Sequence, residues 1–302
     1  MRLAKLLLVA VVLQPFATAS AVLVGQGDGT QNTTSPGATS GWNNVGLLNG
    51  SSGVYLGGQW VLTASHVGAG TITFPGFGTH AAQSGSAVRL LNADNSLTDL
   101  VVYRLQTDPG LPTLTLASTT PTIGTSVIMV GNGRNREAGL TFWDVSGADP
   151  NFTWTEDSTP EGGEAGGYKW AAGNTKRWGS NVTTDLNGAA TGGETAVVNA
   201  NFGDVVSFAT RFDDLPNEGQ AVGNDSGGAI FSATGELLGI MHAVGNFEDQ
   251  PTNTSVFGNL TYAADIATYR GAIVAAVPEP SATLLFAGAC AGMAMRRRQP
   301  KR

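Results

Sequence analysis

Gly223-Asn224-Asp225-Ser226-Gly227-Gly228-Ala229 is the stretch on which the reading of this chain turns. An Asp-Ser-Gly-Gly run lies between a polar loop and the apolar pair Ile230-Phe231. Glycines beside a serine permit a tight backbone that holds the hydroxyl in the open. They also let backbone N–H groups converge on one point, as an oxyanion hole requires. Ser226 is therefore the candidate nucleophile, weighed against a plain Gly-rich turn in a chain of 42 glycines. A nucleophilic serine needs a base, and the base needs an acid to orient it.

Composition narrows the field before those partners are sought. The 302-residue chain is 41% apolar, so it is not of the disordered class, and only 13% charged. Long amphipathic helices rich in Glu and Lys are absent from the pattern, which favours many short strands joined by turns. The formal net charge is −7, yet seven of the 16 basic residues stand near the ends: Arg2, Lys5, Arg296, Arg297, Arg298, Lys301 and Arg302. The body between them is more acidic still. Such a surface repels phosphate backbones and argues against nucleic acid as a partner. The single cysteine, Cys290, lies in the C-terminal tail, so disulfides do not hold the body together.

Both ends read as addresses. Residues 1–21 combine Arg2 and Lys5 with the apolar run Leu6 to Leu13 and the small-x-small sites Ala17-Thr18-Ala19 and Ala19-Ser20-Ala21. That is the order of a secretory signal, and the run is too short to span a bilayer. Residues 277–302 carry Pro278-Glu279-Pro280, an apolar stretch from Ala282 to Met295, and the Arg296-Arg297-Arg298 stop. This order resembles a PEP-CTERM sorting signal of exported bacterial proteins. The resemblance implies an apolar transmembrane helix in the tail, membrane contact through that tail only, and removal by an exosortase-type enzyme after signal peptidase has acted. The expected location is the cell envelope or the extracellular space.

Between the ends, residues 22–276 read as one peptide-chain body of short strands. Trp60-Val61-Leu62-Thr63-Ala64-Ser65-His66 is an apolar strand that ends in a histidine. It resembles the histidine motif of the chymotrypsin/trypsin-like serine proteases, Trp-Val-Leu-Thr-Ala-Ala-His, with Ser65 in place of the second alanine. The resemblance implies that His66 is the general base. The family's aspartate precedes an apolar strand, and Asp99-Leu100-Val101-Val102-Tyr103-Arg104-Leu105 has that form. Asp94 competes for the role but lacks the apolar sequel. The order His66, Asp99, Ser226 is the family's order. His80, after a Gly/Pro-rich loop, is expected to be exposed to solvent.

The fold implied is all-β: two antiparallel six-stranded β-barrels, about 42–120 and about 125–274, with a short C-terminal helix. Tyr262, Ile266, Tyr269 and Ile273 supply the spacing for that helix. Phe202 to Thr210 reads as a strand, whereas 132–201 is longer than such a fold needs and resists assignment. By resemblance, the backbone amides of Asn224 and Ser226 form the oxyanion hole, with Asn224 where relatives have glycine. Asp225 matches the aspartate that pairs with a freed N-terminus, here Val22. Gln220 and His242 are the candidates for the specificity pocket, and a packed core is the competing reading of His242. Asp213, Asp214 and Glu218 have oxygen ligands suited to calcium but are expected to be a solvated loop, so no metal or cofactor is assigned.

The activity implied is a secreted serine endopeptidase acting on protein or peptide substrates through an acyl-enzyme. Two other readings stand beside it: a non-catalytic cell-surface or matrix protein on the same scaffold, and an acyl hydrolase acting on esters. For the hydrolase, the Gly-x-Ser-x-Gly elbow fails at Asn224.

Overall fold

The computed structural model describes residues 22–37, 41–158, 163–186 and 194–277. The expected leader, residues 1–21, and nearly all of the expected sorting tail, including Cys290, lie outside the described residues. Among the described residues, no helix is long and apolar enough to cross a membrane.

After β1 (Leu23–Val24) and a 3-10 turn at Trp42–Asn44, the first half runs β2 (Val45–Leu48), β3 (Ser51–Gly57), β4 (Trp60–Ala64), β5 (Ile72–Phe74), β6 (Gly78–His80), β7 (Val88–Leu91) and β8 (Leu97–Arg104). The middle runs β9 (Ser126–Gly131), β10 (Arg134–Arg136), β11 (Thr141–Ala148), β12 (Asn151–Asp157), β13 (Ala165–Asn174), β14 (Arg177–Thr184) and β15 (Ala196–Asn199). The chain ends with β16 (Asp204–Arg211), β17 (Gly219–Gln220), β18 (Ala229–Ser232), β19 (Leu237–Gly245), β20 (Thr254–Val256), β21 (Leu260–Asp265) and α1 (Ile266–Ala276).

Strands β2 to β8 form a seven-stranded antiparallel sheet in the order β6-β5-β2-β3-β4-β8-β7. The second half is ordered β14-β9-β18-β19-β21-β16-β15, and pairing of β14 with β16 closes six of those strands into a barrel. β15 is left outside the closed ring. The two halves share one core: Val54, Leu62, Leu100 and Val102 of the first pack with Met129, Phe208, Ile230 and Ile240 of the second. A mostly β architecture, with one closed six-stranded barrel, a seven-stranded sheet and one short helix, is thus what the alternating apolar runs build.

The segment 132–201 is not loose decoration. β10, β13, β11 and β12 form a further sheet, joined by β20 on β13. Its strands are poor in the long apolar runs that marked the barrels, which is why the sequence left it unassigned. The Phe202–Thr210 strand begins two residues later than expected, and Phe202 falls in the turn between β15 and β16.

The helix also differs from its expected span. Tyr262 belongs to β21, because Asp265 ends the strand and caps α1, its carboxylate accepting from the backbone N–H of Ala267 and Thr268. Ile266, Tyr269 and Ile273 are the buried stripe. The same carboxylate accepts from Thr120 Oγ1 at 2.6 Å, which ties the linker between the halves to the helix. Asp265→Ala should therefore cost about 1–3 kcal/mol, a lost cap plus a lost buried hydrogen bond. Thermal unfolding should show a lowered Tm, with Asp265→Asn recovering most of it.

Candidate functional site

The site begins where β4 runs out. β4 pairs with β8 with Ala64 opposite Leu100, so the next residues of each strand, Ser65 and Asp99, face one another at the sheet end. The Ser65 N–H donates to the Asp99 carbonyl at 3.0 Å. The His66 backbone N–H then donates to Asp99 Oδ1 at 2.9 Å, and His66 Nδ1 meets Asp99 Oδ2 at 2.7 Å. Asp99 is only 1% exposed, and its Oδ2 accepts from the ring nitrogen that faces it. Nδ1 therefore carries the proton in the neutral ring, which leaves Nε2 as a lone pair. The imidazole is 19% exposed, so that lone pair is sheltered but reachable.

The rival residues are placed elsewhere. Asp94 holds the turn before β8, accepting from Ser96 N and Ser96 Oγ at the surface. His80 is buried rather than exposed, contrary to the sequence expectation. It is the last residue of β6, paired with Ile72, and its ring nitrogens bond Thr107 Oγ1 and the Phe77 carbonyl. Both nitrogens are spent locally.

Ser226 sits in the loop between β17 and β18, 5% exposed. Its carbonyl accepts from Ser52 N in β3 at 3.0 Å, across the seam between the halves. Gly227, at φ +80°, lies so close that an added Cβ would stand 2.0 Å from the Ser52 carbonyl and 2.1 Å from Thr63 Oγ1. Thr63 is three residues ahead of His66 on the same run of chain. The glycine is thus what lets the Ser226 loop press onto the end of β4. Asn224 adopts φ +75°, the left-handed conformation that asparagine tolerates better than most residues. Among the described residues, the amides of Asp225, Gly227 and Gly228 donate to carbonyls, whereas those of Asn224 and Ser226 do not.

Asp225 turns away from solvent. Its Oδ2 accepts from Val222 N, and its Oδ1 occupies the space beside Gly131 and is without a partner. Burial holds its carboxyl well above the usual carboxylate range, against the pull of the Val222 amide, Arg177 and the Val22 amide. Val22 itself is 0% exposed. The arm that follows it pairs as β1 with β17, Leu23 opposite Gln220.

Gln220 is buried there, its Nε2 donating to the Leu260 carbonyl and its Oε1 accepting from Thr261. His242 is buried in β19, with Nε2 at 2.8 Å from Ser207 Oγ and Nδ1 without a partner. The three acidic candidates for a cation are engaged separately. Asp213 pairs with Arg211, Asp214 accepts from Tyr168 and Gln26, and Glu218 accepts from the amides of Asp213 and Leu215.

Two features carried no signal in the sequence. The ring of Phe202 stacks on the imidazole of His66, and Arg136 grips the N-terminal arm through the carbonyls of Val24, Gln26 and Gly27. Both are contacts between positions more than a hundred residues apart.

Burial pulls His242 down to about 4, and the nearby His66 adds to this while Asp99 opposes it. Its folded value lies below the unfolded one, so the stability it allows is complete above about pH 6.5 and is lost as pH falls toward 4. The shift corresponds to roughly 3 kcal/mol. Denaturant melts between those limits should show that loss, and His242→Leu should flatten it.

Comparison with known proteins gives a consistent result. Residues 51–240 match the family described as the trypsin-like peptidase domain. None of the curated proteins matches. Solved structures similar to this chain include kallikrein-related peptidase 10 in complex with Zn2+, at 17% identity and a TM-score of 0.45, covering 81% of this chain and 99% of that one. Neuropsin, a serine protease expressed in the limbic system of mouse brain, is 16% identical with a TM-score of 0.45, covering 82% and 98%. A mutant of human heparin binding protein (CAP37) is 15% identical with a TM-score of 0.45, covering 76% and 88%.

Proposed function

The chain belongs to the trypsin-like peptidase domain family, and on that premise we propose that it is a secreted serine endopeptidase that cleaves peptide bonds through an acyl-enzyme. The observation that carries this reading is the buried carboxylate of Asp99 fixing Nδ1 of His66 at 2.7 Å, at the end of the strand against whose Thr63 the Gly227 of the Ser226 loop packs.

In this reading Ser226 Oγ attacks the peptide carbonyl and His66 Nε2 takes its proton. The protonated ring is stabilised by Asp99, which orients it without becoming protonated. His66 then gives the proton to the leaving amine, the acyl-enzyme forms, and water reverses the sequence. The uncommitted amides of Asn224 and Ser226 hold the oxyanion, and the left-handed Asn224 does what glycine does in relatives. Gln220 offers no charge at the pocket position, so a preference for Lys or Arg is not supported.

A fluorophosphonate probe should label the protein at Ser226, and Ser226→Ala should abolish both labelling and casein digestion. Asp99→Asn should keep the fold and reduce the rate on the order of 10^4-fold, as loss of the correct tautomer does in this type of triad. Labelling without peptide cleavage would move the assignment to ester hydrolysis. No labelling at all would leave the non-catalytic reading.

Export and maturation complete the proposal. Signal peptidase removes residues 1–21, an exosortase-type enzyme acts on the tail, and the new α-amine of Val22 pairs with Asp225. The buried Val22 and the unpaired Oδ1 of Asp225 support this. In the uncleaved chain the raised Asp225 value means the native state keeps a proton that the unfolded state releases. Stability then falls as pH rises above the usual carboxylate range. A paired ammonium removes that penalty. N-terminal sequencing of the secreted form should begin at Val22, and denaturation of the two forms toward neutral pH should find the mature one more stable. A mature chain starting elsewhere refutes the pairing.

A further inference from the structure

The imidazole of His66 has a second neighbour besides Asp99. The ring of Phe202 lies against it with centroids 4.5 Å apart and planes 25° from parallel. Phe202 comes from the other half of the molecule, in the turn between β15 and β16. The turn is built to a fixed shape. Asn201 and Gly203 have φ +70° and +115°, Asn199 Oδ1 accepts from the Asn201 amide, and Asn199 Nδ2 donates to Asp204 Oδ1.

It is also fastened across the seam to the hairpin β7–β8, whose second strand carries Asp99. Arg89 donates from Nε to the Thr98 carbonyl and from Nη2 to the Phe202 carbonyl. Asn92 donates to the Asp204 carbonyl at 2.9 Å and accepts from Tyr269 Oη at 2.8 Å. Gly203 approaches the Leu97 carbonyl so closely that a Cβ would stand 2.3 Å from it. Phe202 nonetheless stays 38% exposed, so this anchoring is not explained by its burial alone.

We propose that Phe202 is a positioning residue: its ring clamps the face of the His66 imidazole, so that with Nδ1 held by Asp99 the Nε2 lone pair keeps one direction. The proposal rests on the reading of His66 as general base. Two contacts at right angles in function, one in the ring plane and one on its face, remove the rotations that a hydrogen bond to Nδ1 alone leaves free. A small misplacement of a base costs rate rather than substrate affinity. Aromatic stacking also adds to simple contact, so leucine is an incomplete substitute.

The test compares Phe202→Ala, Phe202→Leu and Phe202→Tyr in the secreted protein, with rates scaled to active sites counted by a fluorophosphonate. Phe202→Ala should lower kcat on the order of tenfold with KM little changed. Phe202→Tyr should restore the rate and Phe202→Leu should not. An unchanged kcat in Phe202→Ala, a loss confined to KM, or equal rescue by leucine and tyrosine overturns the proposal.

A second measurement does not depend on turnover. The chain has three histidines, so the His66 ring resonances are assignable in a Ser226→Ala background. Loss of the Phe202 ring current should move them in Phe202→Ala and not in Phe202→Tyr. Unmoved resonances overturn the clamp. If the wild type accepts no probe while the resonances do move, it is the peptidase reading that fails, and the ring contact stands without a catalytic role.

Discussion

A carboxylate shut away from water at the end of a strand is the constraint to which the rest of the site answers. Asp99 is 1% exposed, and a buried charge is tolerated only when hydrogen bonds replace its hydration. One oxygen receives the backbone N–H of His66 and the other receives its ring. Both donors come from one residue, so the chain after β4 must turn at a single place for either to form. The register of β4 on β8 fixes that place. The two other buried titratable groups nearby take the opposite course. His242 is held neutral and Asp225 is pushed toward its neutral form, each with one polar atom left unpaired.

The seam between the halves is polar as well as apolar, and this is what allows a site to exist there. The shared core joins the halves without specifying their relative position to a fraction of an ångström. Directional bonds do that. Asn132 donates from its backbone N–H to Ser52 Oγ and from Nδ2 to the Gly46 carbonyl, the Ser52 N–H donates to the Ser226 carbonyl, and Lys176 donates to the carbonyls of Trp42 and Val45. Gly227 supplies the close approach. Its hydrogen faces the Ser52 carbonyl where any side chain would force the loop off the first half. The Ser226 loop is thus registered against β3 and β4, the second of which runs into His66.

These relations also explain what could be read from the sequence. The strand run ending in His66, the Asp99-led strand and the Gly-flanked Ser226 are local patterns, each with its chemistry written in adjacent residues. The helix stripe of Ile266, Tyr269 and Ile273 was legible for the same reason, whereas Tyr262 shared the spacing by coincidence and belongs to a strand. His80 misled because a Gly/Pro-rich loop before it suggested surface, while its strand pairing with Ile72 turned the ring inward. Phe202 looked like the first residue of a strand, and nothing beside it indicates a histidine from the other half. The sheet of β10 to β13 escaped because its strands alternate weakly and are stabilised by aromatic contacts, such as Trp143 on Trp154 and Trp154 on Phe247.

That added sheet acquires a purpose when the N-terminal arm is considered with it. Arg136 of β10 lies over the ring of Tyr168 of β13 and donates to three carbonyls of the arm, those of Val24, Gln26 and Gly27. Tyr168 Oη accepts from Gln26 N and donates to Asp214. An arm of so few residues has little apolar surface to bury and would fray if left alone. The only cysteine of the chain is Cys290, so no disulfide can tether it. A guanidinium offers several donors in a fixed plane and suits a row of backbone carbonyls. The long middle segment therefore stabilises the arm by hydrogen bonding where a covalent tether is not available. Val22, which heads this arm, is itself fully buried.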